Sequence, residues 1–523
     1  MKKTLLALVM ASTLLVTACA GGGNTSHEES SSAPVSEESV PTPVSEESVP
    51  APISEEESVP TEESTPTPHS HEESVPIEES VPAEESSEEA PTSEEAPISE
   101  EEPVSEEEET LPPEESTEED LPSAKLTIRF HVDSQSTEGM AYKKVIDAFN
   151  KEYAKFKIKV TASYVARTAG DSAYERQLAT DMQEGTLPDI ITFDAPNCAA
   201  YANSGYLYDI SSSFTENEKK AFITLNTYQG KLFGIPIQES SAGFYYNKNL
   251  FATAGIDVSN VTVDNPWTYG EFKDACAKLL AKSITPVDMR LDATKDETAT
   301  YLLYPFIYAS GGSFVDTTGK TAIGYFNSDA SKRGFQFLKD LVKAGYTSYG
   351  IGATDFHTGK VGMYLSSGWT TPELDNKFPT TFPNRDSWGL LPYPKDVKSA
   401  SANGSWSYAI GNNGRKDKRA VVALLKYLTN KDSSKTVTDA TGMIPANKRV
   451  ETNYQANSPE DVMLQQLIKT SIARPETVGY PQFSSAFSQV ISAMRDENDI
   501  STLVDNKARV LQDNLDKIKI NNI

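Results

Sequence analysis

The sequence predicts an α/β fold of two lobes joined by hinge segments and preceded by a long disordered tether. Three observations lead to this prediction. The composition changes at about residue 124, where a Ser/Glu/Pro-rich stretch gives way to ordinary globular sequence. The globular part opens with strand, helix and strand patterns in alternation. In its middle, residues 231–248 hold two strand-like runs around a polar break, which predicts a crossing between two sheets.

Residues 1–18 are typical of an export signal. Two lysines precede an apolar run, and small residues precede Cys19. The ending VTAC is similar to the lipobox of bacterial lipoproteins, so we expect Cys19 to carry the lipid and to become the mature N-terminus. One acylated cysteine anchors a protein without spanning the membrane. Plain secretion or a retained leader helix is the alternative.

Residues 19–123 comprise the lipidated cysteine and the tether. From residue 20 onward the stretch holds 33 acidic and no basic residues, and a nine-residue unit such as PVSEESVPT recurs in it. This composition buries too little apolar surface to offset chain ordering, and its like charges repel, so it predicts an extended, disordered stalk. A stalk that is glycosylated or binds a partner stays open as an alternative.

The net charge of −29 belongs to the tether. The part from residue 124 onward has 43 acidic and 45 basic residues. A body so close to neutrality gives no electrostatic reason to bind nucleic acid. It also has no run of about 18 apolar residues, so we expect no membrane span there.

The body, residues 124–523, is too long for one typical core and suits two α/β lobes. KLTIRFHV, KIKVTASYV and LPDIITFDAP predict three strands, with helices between them. Ligands bind at the carboxyl ends of strands in such sheets. This rule places four polar residues at one rim: Asp133, Gln135, Asp194 and Asn197.

The crossing segment reads KLFGIPIQESSAGFYYNK. Pro236 cannot donate to a strand ladder, so we expect it at the end of the first strand. The first run then leaves one sheet and the second enters another, with Gln238, Glu239, Ser240 and Ser241 between the lobes. A ligand in a cleft would meet these residues. An ordinary loop inside a single sheet is the alternative.

Further elements follow the crossing. Thr268 is the predicted cap of a helix, and later helices are predicted over LLYPFIYA, SDASKRGFQFLKDLVKAGY, RAVVALLKYLTN, SSAFSQVISAMRDE and LVDNKARVLQDNLDKI. VGMYL, WGLLPYP and GSWSYAIG predict strands, and TGMIPANKR suits a return between lobes. Trp369 and Trp406 lie at turns and are either rim packing or stacking platforms. The turn RPETVGYPQF offers Arg474, Tyr480 and Phe483 to the cleft.

The order of LPDIITFDAP, YQGKLFGIPI, FYYNKNLFATAGID, NPWTYGEF, ASGGSFVD, FHTGKVGMYLSSGW, WGLLPYP and TGMIPANKR resembles extracellular solute-binding proteins of the carbohydrate ABC-transporter type, the maltose-binding-like group of family 1. The resemblance implies a periplasmic-binding-protein-like fold that closes on a sugar. We expect lobe 1 at about 124–238 and 405–443, and lobe 2 at about 239–404 and 444–523.

Matching positions in that family point to ligand contacts. They are Phe193 to Asn197 (Phe193, Asp194, Asn197), Glu239 and Ser240, Trp369, and Phe487 or its neighbour Phe483. Such proteins often have Trp where this chain has Phe130 and His131, so that corner of the pocket differs. The residue types suit a sugar, because aromatic faces bury its C–H groups while charged side chains bond its hydroxyls.

The predicted function is therefore a substrate-binding lipoprotein of an ABC importer. We expect a monomer, anchored by lipid on the extracellular face of the bacterial cytoplasmic membrane, that binds a carbohydrate ligand and ABC permease subunits. No cofactor, metal or nucleic acid is expected, since the body's two histidines, His131 and His357, are far apart in sequence. Alternatives are a surface-anchored glycosidase and a binding protein for a non-sugar solute. Cys198 and Cys276 are expected as buried free thiols, with a disulfide as the alternative.

Overall fold

The computed structural model describes residues 121–167, 173–293 and 297–523. All of them lie in one compact unit of the chain, Pro103–Ile523. The export signal, Cys19 and all but the last residues of the tether lie outside the described residues, so their predictions stand as predictions. Within the described ranges, no helix is both long and apolar enough to cross a membrane.

The chain alternates between helices and strands. The helices are α1 (Thr137–Glu152), α2 (Ala173–Glu184), α3 (Cys198–Asn203), α4 (Glu216–Lys220), α5 (Lys248–Ala254), α6 (Tyr269–Leu280), α7 (Thr298–Ala309), α8 (Asp329–Lys343), α9 (Thr370–Lys377), α10 (Arg419–Leu428), α11 (Lys431–Thr441), α12 (Pro459–Lys469), α13 (Tyr480–Ala493) and α14 (Ile500–Leu515). The strands are β1 (Ala124–Phe130), β2 (Ile158–Tyr164), β3 (Ile190–Asp194), β4 (Asn226–Tyr228), β5 (Lys231–Ser240), β6 (Ala242–Asn247), β7 (Thr285–Asp288), β8 (Val361–Ser367), β9 (Trp388–Leu391), β10 (Ser401–Ala402), β11 (Gly404–Ile410), β12 (Ile444–Pro445) and β13 (Ser471–Ile472).

Lobe 1 is built on a seven-stranded sheet in the order β12-β5-β11-β3-β1-β2, with β4 paired to β5. The strands β1, β2 and β3 run parallel, whereas β11 pairs antiparallel with both β3 and β5. Apolar side chains alternate between the two faces of this sheet. One face packs on α1, α10 and α11, and the other packs on α2 and α3. Helices on both faces explain why the central strands are apolar throughout.

Lobe 2 is built on a four-stranded sheet in the order β7-β8-β6-β9. Phe244 and Tyr246 of β6 face a large core that includes α6, α7, α8, α13 and α14. Tyr245 points to the opposite face, where a smaller core holds residues of α9 and α12. The predicted crossing is confirmed, because β5 belongs to the large sheet and β6 to the small one.

Two details of the crossing differ from the prediction. The polar break is only one residue long, since β5 continues through Ser240 and β6 begins at Ala242. Pro236 lies inside β5 rather than at its end. Its missing N–H is tolerated because β4 pairs only up to Gly234 and β12 only from Gln238 onward. On the other side of Pro236, the pairing with β11 shifts register between Trp406 and Ser407.

Before its last residues, the chain passes between the lobes at two further places. It passes between β10 and β11 at residue 403 and again between α11 and α12 near β12. At the second passage, Gly442 lies against Gly368 of lobe 2, and a methyl group on Gly368 would overlap the carbonyl oxygen of Gly442. The two lobes are therefore in direct backbone contact beside this passage.

Eight of the described helices were predicted, although α7, α13 and α14 begin three or four residues before their predicted starts, and six helices were not predicted. Thr268 caps α6 through a reciprocal bond pair with Glu271. Helix α13 begins at Tyr480, four residues before its predicted start. Helices α3, α4, α5, α9, α11 and α12 were not predicted. The thiols of Cys198 and Cys276 are free and buried in different cores, which agrees with the expectation of free thiols.

Candidate functional site

The candidate site lies where the ends of β3 and β5 in lobe 1 meet α7 and α13 of lobe 2. Arg474, which precedes α13, is its centre. Its guanidinium donates to both carboxylate oxygens of Asp194, over 2.8 and 2.6 Å. It also donates to Glu297 Oε1 over 2.8 Å and to the Tyr480 hydroxyl over 3.3 Å. Asp194 ends β3, so this ion pair joins the two lobes.

These charges are almost completely removed from water. The Arg474 side chain is 4% exposed, Asp194 6% and Glu297 13%. Burial alone would lower the pKa of Arg474, but the adjacent Asp194 and Glu297 raise it well above its usual value. Burial raises the pKa of Glu297, while Arg474 opposes that rise. A buried charge of this kind is stable only when it is paired, so each member depends on the others.

Hydroxyl groups extend the network into lobe 2. Tyr480 donates a short hydrogen bond to Glu297, and Ser484 Oγ donates to Glu297 Oε2 over 2.6 Å. Glu297 immediately precedes α7, whereas Tyr480 and Ser484 occupy the first turns of α13. One carboxylate therefore holds two helices of lobe 2 in register beside the lobe interface.

A second polar group connects β5 to lobe 2. The Tyr301 hydroxyl lies 2.9 Å from Ser240 Oγ and donates to Ser367 Oγ over 3.3 Å. Ser240 Oγ donates to the carbonyl oxygen of Gly404 over 2.8 Å. The guanidinium carbon of Arg474 lies 5.4 Å from the centre of the Tyr301 ring, within cation–π range. Tyr301 thus links the ion pair to the crossing strand.

Glu239, the neighbour of Ser240, is fully buried. Thr224 donates a short hydrogen bond to its Oε1, and Oε2 has no hydrogen-bond partner among the described residues. Burial raises the pKa of Glu239 to about 8, against the hydrogen bond from Thr224 and with the help of the Glu476 carboxylate. Burial also raises the pKa of Glu476, which Arg474 opposes. Three carboxyl groups, those of Asp194, Glu297 and Glu476, therefore interact with one guanidinium, and Glu239 is connected to them through Glu476.

Trp369 is half-buried directly after β8, and its ring centre is 6.1 Å from that of Tyr301. Trp406 is also half-buried, but its ring stacks on His131 with 3.3 Å between centroids, and Arg167 lies over the same ring at 5.2 Å. Burial and the charge of Arg167 lower the pKa of His131 well below its usual value, so this imidazole is neutral. Trp406 was predicted to be either rim packing or a stacking platform, and its contacts with His131 and Arg167 agree with rim packing.

Among the predicted site residues, the structure brings Asp194, Ser240 and Tyr480 together around the ion pair. Glu239 is connected to this group by its electrostatic interaction with Glu476, and Trp369 by its ring contact with Tyr301. Asn197 is half-buried at the start of α3. Asp133 and Gln135 are exposed after β1, where Asp133 Oδ1 accepts from the Gln135 N–H over 2.7 Å. Their role in binding stays a prediction.

Three aromatic predictions are corrected. Phe193 is 1% exposed and packs against Gly234 and Tyr201 in the core of lobe 1. Phe483 and Phe487 are fully buried in the core of lobe 2. The Phe487 ring centre is 5.1 and 5.5 Å from those of Phe314 and Phe335. Neither face of these side chains is available to a ligand without unpacking a core.

Sequence reasoning missed Glu297, Tyr301 and Glu476. Glu297 and Tyr301 flank the start of α7, where a polar run gives way to an apolar helix. Glu476 lies in the turn that had already offered Arg474. A carboxylate and a tyrosine one turn apart at a helix start were the available signal, but the sequence did not indicate which end of the helix meets the cleft.

The family model for bacterial extracellular solute-binding proteins matches residues 144–463, more than half of the chain. The chain belongs to this family. Among its relatives, a binding protein of Brucella abortus (strain 2308) is 24% identical over 329 residues, which cover 61% of this chain and 77% of the relative. The sn-glycerol-3-phosphate-binding periplasmic protein UgpB of Escherichia coli O1:K1 / APEC is 22% identical over 377 residues, 66% of this chain and 81% of its own.

Solved structures agree with the fold of this solute-binding protein. A solute-binding protein of an ABC transporter from Thermotoga lettingae TMO, bound with α-D-tagatose, superposes with a TM-score of 0.64 at 22% identity, covering 75% of this chain and all of its own. The maltose-bound MalE3 of T. maritima superposes with a TM-score of 0.63 at 20% identity, covering 74% of this chain and 99% of its own. The predicted two-lobed α/β fold is confirmed.

Proposed function

We propose that this solute-binding protein captures a sugar or oligosaccharide between its lobes and delivers it to the permease of an ABC importer. One observation carries the proposal: polar and aromatic groups from both lobes converge on the Arg474 network, beside the crossing strand. Sugar hydroxyls both donate and accept, so they can exchange with the hydroxyl and carboxylate bonds already made there. The tagatose- and maltose-bound relatives of the same fold support this ligand class.

The proposed lobe bounds are about 124–238 and 405–443 for lobe 1, and about 239–404 and 444–523 for lobe 2, except that the ends of β5 and β12, through Ser240 and Pro445, pair in the sheet of lobe 1. Support comes from the packing of α10 and α11 on the large sheet and of α12, α13 and α14 in the cores of lobe 2. We place the protein outside the cytoplasmic membrane as a monomer held by the lipid on Cys19. The export signal and the VTAC ending support that placement.

The charge balance favours an uncharged ligand. Three carboxyl groups, those of Asp194, Glu297 and Glu476, interact with Arg474, and the guanidinium is already bonded to the first two. A phosphate such as that of the solute named for UgpB would face these carboxylates, while the charge of Arg474 is already paired with two of them. A neutral sugar avoids that repulsion. We therefore expect neutral glycans to bind and glycerol 3-phosphate to bind at least tenfold more weakly.

The test is a melting and calorimetry screen of the purified full chain against neutral mono- and oligosaccharides and glycerol 3-phosphate. A ligand at 100 times its Kd should add about 2.7 kcal/mol to the free energy of unfolding. Product analysis of the same incubations tests the glycosidase alternative. Binding of glycerol 3-phosphate in preference to every glycan would overturn the sugar proposal, and glycan cleavage would overturn the purely binding role.

A further inference from the structure

The last residues of the sequence cross from lobe 2 to lobe 1 and are held on lobe 1 by hydrogen bonds. Helix α14 belongs to lobe 2, where its side chains Val504, Leu511 and Leu515 are buried in the core. Ile518 packs against the same core. The next residue, Lys519, is already bonded to lobe 1, because Asn203 Nδ2 donates to its carbonyl oxygen over 2.9 Å.

Residues 519–523, which we call the C-terminal strap, make four further hydrogen bonds to lobe 1. The N–H of Asn521 donates to Asn203 Oδ1 and its Nδ2 to the Asn203 carbonyl oxygen, both over 2.7 Å. Gln229 Nε2 donates to the Asn521 carbonyl oxygen over 2.8 Å, and Gln229 Oε1 accepts from the Ile523 N–H over 3.3 Å. Asn203 ends α3, and Gln229 follows β4, so both partners belong to lobe 1.

The strap has no slack. Ile518 is fixed on lobe 2 and Lys519 on lobe 1, and neighbouring Cα atoms are about 3.8 Å apart. A movement that separates α14 from α3 therefore has to break the strap's hydrogen bonds or pull Ile518 off its core. Residues 519–522 are exposed, so water can replace the hydrogen bonds of the strap. Such exchangeable bonds have a small net free energy and can break and re-form.

We propose that the C-terminal strap restrains the opening of the lobes and thereby sets the apparent affinity of the cleft. While bonded, it favours the conformation in which α14 lies beside α3. Released, it allows a wider separation and a smaller closed population, which weakens ligand binding in proportion. The first part rests only on the two-lobed structure, whereas the second rests on the proposed binding function.

The experiment measures lobe separation by electron paramagnetic resonance in the full chain without ligand. Spin labels replace the exposed Lys143 of α1 in lobe 1 and Lys377 of α9 in lobe 2, and Cys19→Ser removes the N-terminal thiol. The buried thiols of Cys198 and Cys276 are protected from labelling by the cores around them. The same samples are then titrated with the best ligand from the glycan screen.

Two variants release the strap. Asn521→Pro removes the backbone N–H and Nδ2, which donate to Asn203, at an exposed position outside both cores. A chain that stops after Ile518 removes the whole strap. Asn522→Ala is the matched control, because the Asn522 side chain is exposed and makes no hydrogen bond within the described residues.

Both releasing variants should shift the label distances to longer values, and Asn522→Ala should not. The shortened chain should also bind its ligand about tenfold more weakly, the ratio equivalent to one or two net hydrogen bonds. Unchanged distances in the shortened chain would overturn the restraint. Longer distances with unchanged affinity would overturn its link to binding. Absence of glycan binding in the parent would instead count against the proposed function and leave the distance result standing.

Discussion

Replacing Arg474 with Met tests whether the interlobe ion network holds the lobes together. The guanidinium is 4% exposed and makes two bonds to Asp194 and one to Glu297. Met keeps a long, unbranched side chain that can fill the space but provides no donor. The variant therefore removes the charge and leaves two buried carboxylates without their cation.

The size of the effect follows from where the carboxylates lie. Leaving a buried charge unpaired costs about 3–5 kcal/mol. Asp194 belongs to lobe 1 and Glu297 to lobe 2, so opening of the lobes rehydrates both without unfolding either core. The loss in the free energy of unfolding should therefore stay below about 3–5 kcal/mol. The remaining cost of the unpaired carboxylates favours the open conformation. We therefore expect a longer lobe separation and at least a tenfold loss of ligand affinity, equivalent to about 1.4 kcal/mol.

Urea unfolding, calorimetry and the label distances measure the three quantities. Arg385→Met is the matched control, because Arg385 also bonds two carboxylates, Asp375 over 2.6 Å and Glu460 over 2.5 Å. Its side chain is 49% exposed and lies within lobe 2, so this loss should be about 0–1 kcal/mol and leave the lobe separation unchanged. If Arg474→Met behaves like Arg385→Met in all three measurements, the network does not hold the lobes.

The Arg474→Met variant should also gain a pH dependence. Burial already raises the pKa of Glu297, and the guanidinium opposes that rise, so its removal raises the pKa further. A carboxyl group whose pKa is higher in the folded than in the unfolded chain keeps its proton on folding. Stability then falls as the pH rises above the unfolded value of about 4.3. The deficit against the parent should shrink below about pH 4, and a deficit that stays constant from pH 4 to 8 would contradict the reasoning.

Four further predictions follow from the structure and the sequence: three concern single residues, and the fourth concerns the tether. Trp369 and Trp267 are both half-buried against the core of lobe 2, but Trp369 lies beside Tyr301 of the site, so Trp369→Ala should cost about 1–3 kcal/mol of binding and Trp267→Ala should cost stability alone. Calorimetry and denaturant unfolding of both variants decide this, and an unstable Trp369→Ala that binds normally would make Trp369 a packing residue. The parent should lose stability between about pH 4.3 and the Glu239 pKa of about 8, because the buried carboxyl holds a proton that the unfolded chain releases. Glu239→Gln should flatten that slope in urea titrations, and an unchanged slope counts against it. Cys19→Ala should release the protein into the medium, which cell fractionation reports, and membrane retention would refute the anchor. Deletion of residues 20–123 should leave affinity unchanged, and a tenfold change in titration would show that the tether contributes to binding.

Local signals in the sequence predicted most of the fold. Alternating and β-branched runs located β1, β5, β6, β8 and β11, and Thr268 predicted the start of α6. Pro236 was placed wrongly because its tolerance depends on where β4 and β12 stop pairing with β5. That gap is formed by segments distant in sequence, so no local pattern indicates it.

The site was predicted in part, from the ends of strands and from the turn that holds Arg474 and Tyr480. Asp194 ends an apolar strand and was placed at the rim by the rule for parallel sheets, whereas Ser240 was predicted from the polar break between the two strands of the crossing. Phe483 was assigned to the cleft because α13 was predicted to begin four residues too late. In the helix, Phe483 and Phe487 are four residues apart and share the face that packs on the core. Glu297 is important only because α7 and α13 meet, which is a tertiary fact.

The passage from β5 to β6 is a single residue, Ser241, and it couples the orientations of the two lobes. Ser367 Oγ donates to the Ser241 carbonyl oxygen over 2.6 Å, and Gln466 Nε2 donates to Ser241 Oγ over 3.4 Å, so lobe 2 fixes both polar ends of that residue. No flexible loop therefore separates β5 from β6, and a rotation of lobe 2 cannot be absorbed between the two strands. Such a rotation would move Ser240 and Glu239 directly, so the backbone at the end of β5 follows the orientation of lobe 2.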